Sequence, residues 1–290
     1  RWKNLIYMIN KLALYLKLMR VDKPIGYYLL FWPVGWAFLI ATSGNPNIYY
    51  LIIFIFGVIA TRSAGCIIND YFDQNIDKRV SRTKNRVLAN QSITNEEAII
   101  LFLFLVIFCF ILLLMLGLEI LLFAIFSFAL LILYPLAKRY FKLPQLILGL
   151  AFGSSIPMVY ILETGKIDIN CLLIYLTTIL WAIVYDTYYA MADKQDDIRL
   201  GVKSSAIFFG DNDIKYSLYL HFCVVLLFTI IGLINNFQII FYIFLLISLL
   251  NIIYQNTLAK KRIPYQCIAA FENNNIFGLI ITFGLIFNYL

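Results

Sequence analysis

The sequence predicts an all-α, polytopic membrane protein with nine transmembrane helices, and three observations predict it. Hydrophobic residues make up 62% of the chain and charged ones only 13%, where a soluble domain carries about 25% charged residues. The apolar residues gather into nine runs, each near the ~20 residues that cross a bilayer. When those runs are threaded back and forth, every Lys and Arg except Arg62 and Lys166 falls on one side. One helix too many or too few would scramble that asymmetry, so the charge distribution supports the count.

Residues 1–23 place Leu5, Met8, Ile9, Leu12, Leu16 and Met19 at helical spacing, with Lys3, Lys11 and Lys17 between them. That is the pattern of an interfacial amphipathic helix. The stretch from Arg1 to Arg20 is basic and interrupted and does not read as a cleavable signal. Pro24 opens the first spanning run, 24–41, and the others follow at 48–68, 98–116, 118–136, 143–162, 169–192, 217–234, 237–257 and 274–290. Only Gly117 and its neighbours separate the third run from the fourth, which predicts a tight hairpin. No linker or low-complexity segment divides the chain, so residues 1–290 read as one domain.

Composition also narrows the function. The five cysteines are scattered without metal-ligand spacing and read as small buried hydrophobes. The formal charge of +7 reports loop topology, and no nucleic-acid motif accompanies it. Asn90 begins a glycosylation sequon on the side read as cytoplasmic, where it has no use. His221, the single histidine, falls inside the seventh run and reads as a buried core residue.

The chemistry concentrates in two acidic stretches. Residues 68–88, INDYFDQNIDKRVSRTKNRVL, put Asn69, Asp70, Asp73 and Asp77 at the end of an apolar run, followed by five Lys and Arg. In a helix, Asn69, Asp73 and Asp77 share one face. Mutually repelling oxygens on one face call for a cation, and hard donors without nearby His or Cys favour Mg²⁺ over Zn²⁺. Residues 185–204, YDTYYAMADKQDDIRLGVKS, hold Asp186, Asp193, Asp196, Asp197 and Lys203. Asp193 and Asp197 repeat the spacing of Asp73 and Asp77 at a constant offset of 120 residues. That offset spans four helices and suggests two four-helix pseudo-repeats. Both stretches follow even-numbered helices and so lie on the basic, cytoplasmic side. The spacing suggests one site built from two halves, with Mg²⁺ bridging both to a diphosphate.

Other residues are candidates with two readings each. Arg62, at membrane depth, either steadies the acidic cluster or meets an anionic substrate. Tyr134, Lys138 and Arg139, in the YPxxKR turn, are either a positive-inside anchor or an anion site. Arg20, at the start of the first spanning run, is a headgroup anchor or part of the site.

NDYFDQNID, RTKNR, DTYYAMADKQDD with GVKS, LMRVDKPIG and YPLAKR together resemble the UbiA prenyltransferase superfamily, and most of all its bacterial members that act on 4-hydroxybenzoate. The resemblance implies nine helices around a central cavity open to the cytoplasm and sideways to lipid. It implies a bacterial inner-membrane enzyme that moves a polyprenyl group from its diphosphate to C3 of 4-hydroxybenzoate in ubiquinone biosynthesis, with Mg²⁺ as cofactor. The family's first motif carries over onto Asn69, Asp70, Asp73 and Asp77, the second onto Asp186, Asp193, Asp196 and Asp197. Arg139 matches the position expected to meet the benzoate carboxylate. Two other readings compete: the same chemistry on another acceptor, or a cation-coupled transporter using buried carboxylates. Transporter acids belong at the bilayer midplane, whereas these sit at helix ends.

Overall fold

The computed structural model describes residues 2–290, with side chains from residue 8 onward. Arg1 and the side chains of Lys3 and Leu5 lie outside the described residues. The described chain is helical, without a strand: α1 Trp2–Leu18, α2 Ile25–Ala41, α3 Ile48–Asp77, α4 Asn95–Leu116, α5 Leu121–Tyr140, α6 Pro144–Gly153, α7 Ser155–Thr164, α8 Ile169–Leu200, α9 Ser205–Phe208, α10 Asp213–Ile234, α11 Ile239–Ala259 and α12 Pro264–Tyr289. Among the described residues, eight segments are long and apolar enough to cross a bilayer, with α6 and α7 counted together, and α2 is a shorter apolar helix of 17 residues.

Local chemistry sets the boundaries. Asn47 and Asp168 cap α3 and α8 by accepting from backbone N–H groups of the first turn. Thr94 and Glu97 close a capping box on α4. Pro144 and Pro264 open α6 and α12, where a missing N–H costs nothing. Gly201 ends α8 at φ +70°, a left-handed conformation suited to glycine.

Four predicted boundaries are corrected. The runs ending at 68 and 192 continue as helix to Asp77 and Leu200, so the acids stand on the helical ends of longer helices, with the shared face that their spacing implied. The run 143–162 is two helices that part at Ser154. Pro157 has no N–H for the carbonyl of Gly153, so the helical ladder breaks there. The last helix begins at Pro264, not Asn274. Asn273, Asn274 and Asn275 lower the local hydropathy, but each finds a partner on another helix: Asn251, the Trp181 indole and the Trp32 indole. Polar side chains satisfied across helices are tolerated inside a membrane.

The core lies where α2, α8, α10 and α12 meet. Trp36 packs against Trp181 and Phe228, and Trp181 against Tyr185 and Phe277. Large apolar side chains such as Phe104, Leu122 and Leu250 stand exposed around the outside; in a bilayer that surface meets lipid. On α1, Met8, Ile9 and Leu12 are exposed while Lys11 pairs with Glu97 of α4, which fits a helix lying along the interface.

α6 crosses α8 closely at Gly149. A Cβ on Gly149 would stand 2.8 Å from Ile179 Cα and 2.9 Å from its carbonyl oxygen. Gly149→Ala is therefore expected to cost about 1–3 kcal/mol and to lower Tm in detergent. Gly35→Ala, whose Cβ meets nothing within 4 Å, should leave Tm unchanged or raise it.

Candidate active site

The C-terminal ends of α3 and α8 meet. Asp73 and Asp77 from one, and Asp193 and Asp197 from the other, line a common cavity of about 90 Å³. That cavity adjoins a much larger one of about 1340 Å³, lined mainly by apolar side chains of α2 to α8.

Every buried carboxylate at the end of α3 has a cation. Asp70, 2% exposed, accepts from Arg20 Nη2 at 2.8 and 2.7 Å and from Arg86 Nη1 at 3.1 Å. Arg86 Nη1 also donates to Asp77 Oδ2 at 2.8 Å. Lys138 Nζ donates to Asn69 Oδ1 at 3.0 Å and Asp73 Oδ2 at 3.1 Å. The loop after α3 crosses to the other helix. Arg82 there donates to both carboxylate oxygens of Asp193 and lies over the Tyr189 ring, 4.5 Å from its centroid. Thr83 Oγ1 donates to the Asp77 carbonyl and fixes the start of this loop. Burial alone would favour loss of charge from Arg86, but Asp70, Tyr189 and Asp77 outweigh it and move its pKa upward. Arg82 behaves alike through Asp193 and Tyr189. Both remain fixed cations.

The structure sorts the remaining candidates. Tyr134 and Asp186 line both cavities, and the Tyr134 hydroxyl donates to Asp186 Oδ2 at 3.5 Å. Lys203 lines the smaller cavity and donates to the Tyr140 carbonyl at 2.9 Å. Arg62 lines the larger one, and its buried Nε has no hydrogen-bond partner among the described residues. Among the described residues it forms no ion pair with the acidic cluster, and it acts on Asp186 only from a distance. Two candidates do not join the site. Arg139 is exposed, lines neither cavity, and donates to the Phe72 carbonyl at 2.8 Å. It braces the last turns of α3 from outside, because Lys138 and Arg139 are consecutive residues of α5 and point in different directions. Asp196 faces Arg199 at 3.8 Å, away from both cavities. Sequence reasoning missed Arg82, Arg86 and Tyr189 as individual site residues. The RTKNR motif held the first two, but nothing in it says which cation folds back.

Among the described residues, no three His, Cys, Asp or Glu side chains converge as a ready-made metal cage. The donor set still fits Mg²⁺. That ion keeps several waters and takes one or two carboxylates plus phosphate oxygens, not an all-protein cage. Asn69, Asp73, Asp77, Asp193 and Asp197 offer only hard oxygens.

The UbiA prenyltransferase family matches residues 30–281. The chain is 44% identical to the 4-hydroxybenzoate octaprenyltransferase of Haemophilus ducreyi, over 93% of this chain and 98% of that one. It is 42% identical to the enzyme of that name in Citrobacter koseri, over 97% of each. In three dimensions it resembles the apo structure of a UbiA homolog from Aeropyrum pernix K1, with a TM-score of 0.78, 25% identity, and 92% of this chain and 98% of that one covered. A UbiA homolog from Archaeoglobus fulgidus bound to GPP and Mg²⁺ shares the fold at a TM-score of 0.68 and 16% identity, covering 95% and 98%.

Arg86 serves two buried acids at once. Arg86→Ala is expected to cost about 3–5 kcal/mol through the uncompensated Asp77, read as a lower Tm in detergent. Adding Asp77→Asn should restore part of the loss.

Proposed function

The chain belongs to the UbiA prenyltransferase family, and from that premise we propose that it transfers a polyprenyl group from its diphosphate to C3 of 4-hydroxybenzoate, with Mg²⁺ held by its two acidic helix ends. One observation carries the site: four aspartates from helices far apart in sequence line one small polar cavity at the mouth of a large apolar one. Relatives more than 40% identical over nearly their whole length carry the name of this activity, which supports the acceptor.

Asp73, Asp77, Asp193 and Asp197, with Asn69 as a neutral oxygen, would hold the metal. Bound there, Mg²⁺ neutralises the diphosphate and makes it a better leaving group. Arg82, Arg86, Lys138 and Lys203 then supply N–H donors to phosphate oxygens. In the unliganded chain, Arg82, Arg86 and Lys138 neutralise the carboxylates instead, so binding exchanges partners and leaves no charge bare. The apolar lining of the larger cavity, with Leu112, Leu113 and Phe152 among its residues, keeps water from the allylic cation and accommodates the isoprenoid tail.

Arg62 orients the aromatic acid. Its side chain lines the larger cavity with a buried Nε that has no partner among the described residues, and Gly26 makes room for it: a Cβ there would fall 2.2 Å from that nitrogen. A benzoate carboxylate supplies the missing acceptor. Arg20 stays on Asp70 as support. The Lys and Arg of the loops beside the acidic ends support a site on the cytoplasmic face of the bacterial inner membrane, where the water-soluble acid arrives.

The test is an assay of membranes with Mg²⁺, labelled 4-hydroxybenzoate and prenyl diphosphates of several lengths. Prenylated product should form and should disappear on chelation. Asp73→Asn and Asp193→Asn should each lose on the order of 10²–10³ in kcat while the protein stays folded and inserted. Arg62→Gln and Gly26→Ala should raise KM for 4-hydroxybenzoate more than for the diphosphate; Arg139→Ala should not. Normal turnover by either Asp variant would remove the acidic ends from the mechanism.

A further inference from the structure

Prenyl transfer to a ring carbon leaves one proton to dispose of, and the roles assigned so far leave it without a destination. The atom that takes it must lie where the ring, the prenyl C1 and the diphosphate meet, which is the junction of the two cavities. Seven residues line both cavities, and among the described residues Asp186 is the only carboxylate of the seven.

Asp186 also differs in its company from the acids held by cations. Asp70, Asp73, Asp77 and Asp193 each form an ion pair, whereas Asp186 and Asp197 form none among the described residues, and of these two only Asp186 reaches the larger cavity. Its hydrogen-bond partners are neutral, the Tyr134 hydroxyl and the Gln145 amide. Lys138 and Arg62 act on it from a distance, and Lys138 is already held by Asn69 and Asp73. A carboxylate pinned by a cation is a poor base, and one left free at a dry reaction centre is a better one.

We propose that Asp186 is the general base that removes the ring proton. This rests on the prenyltransferase reading and deepens it. The C1–O bond of the prenyl diphosphate breaks, and its electron pair leaves on the diphosphate. A ring π pair then forms the C3–C1 bond. The C3–H pair returns to the ring to restore aromaticity, and the proton passes to a carboxylate oxygen of Asp186. From there it leaves through the smaller cavity, whose lining includes Asp197, Lys203 and Ser204.

The experiment compares 4-hydroxybenzoate with its form deuterated at C3 and C5, using full-length wild type and variants in membranes. In wild type, proton removal follows C–O cleavage and is fast, so the two substrates should react alike. Asp186→Asn, which keeps the shape, should lower kcat by roughly 10²–10⁴-fold and expose a primary isotope effect. Its Tm in detergent and its Kd for the prenyl diphosphate should stay at wild-type values. Asp186→Glu should recover part of kcat and shrink the isotope effect, an outcome that a purely structural role would not give. Wild-type kcat in Asp186→Asn would overturn the assignment and hand the proton to the departing diphosphate. Slow turnover without an isotope effect in both variants would overturn it too, and would place Asp186 in ionisation or positioning. Wild type that leaves 4-hydroxybenzoate unprenylated overturns the acceptor and this assignment together, whereas the other failures leave the acceptor standing.

Discussion

Negative charge buried at a membrane boundary must be neutralised, and this protein is arranged around that requirement. Asp70, Asp73 and Asp77 are almost wholly buried. Uncompensated, each would be too costly to ionise. Arg20 comes from the turn after α1, Arg86 from the loop after α3, and Lys138 from the end of α5. Three separate parts of the chain are thus drawn to one helix end. Arg82 extends the same logic to Asp193 and ties the two halves of the site together. The charges that make the site useful are also what assembles it.

That assembly depends on helix length. α3 and α8 have 30 and 32 residues, well beyond the ~20 that cross the hydrocarbon. The surplus turns carry the acids past the apolar layer while keeping them on a rigid scaffold. A second buried cluster holds this end in register. Asp213, fully buried, pairs with Lys194 of α8 at 3.0 Å and with Arg262 before α12 at 2.7 Å. Lys194 is the neighbour of Asp193 in sequence, so a pin on one side of the helix fixes the direction of the acid on the other.

Much of this was legible in the sequence, and the failures have physical causes. The apolar runs, the one-sided Lys and Arg, and the repeated Asp spacing sufficed for the helical membrane class and for the pairing of Asp73 and Asp77 with Asp193 and Asp197. Hydropathy could not see that α12 starts at Pro264, because Asn274 and Asn275 are satisfied by tryptophan indoles more than 90 residues away in sequence. Nor could it separate Lys138 from Arg139, since adjacent residues at a helix end differ in direction by a rotation that the sequence does not record. Arg62 was recognisable as exceptional from its depth alone, but the absence of an acidic partner emerges only in three dimensions.

Those unpaired groups set the chemistry apart from the scaffold. The cations and acids that hold the helix ends together come in matched sets, and a matched set gives structure without asking for a ligand. Arg62 and Asp186 line the same apolar cavity and lack an ion-pair partner there. An unmatched cation and an unmatched carboxylate in one largely apolar cavity are each unfavourable alone. A ligand with a carboxylate at one end and a ring hydrogen that becomes acidic only during reaction offsets both, the first on binding and the second as the new bond forms. Interaction gained late in the reaction raises kcat, whereas interaction gained on binding lowers KM. On the proposed roles, the division between Arg62 and Asp186 is a division between holding the acceptor and completing its conversion.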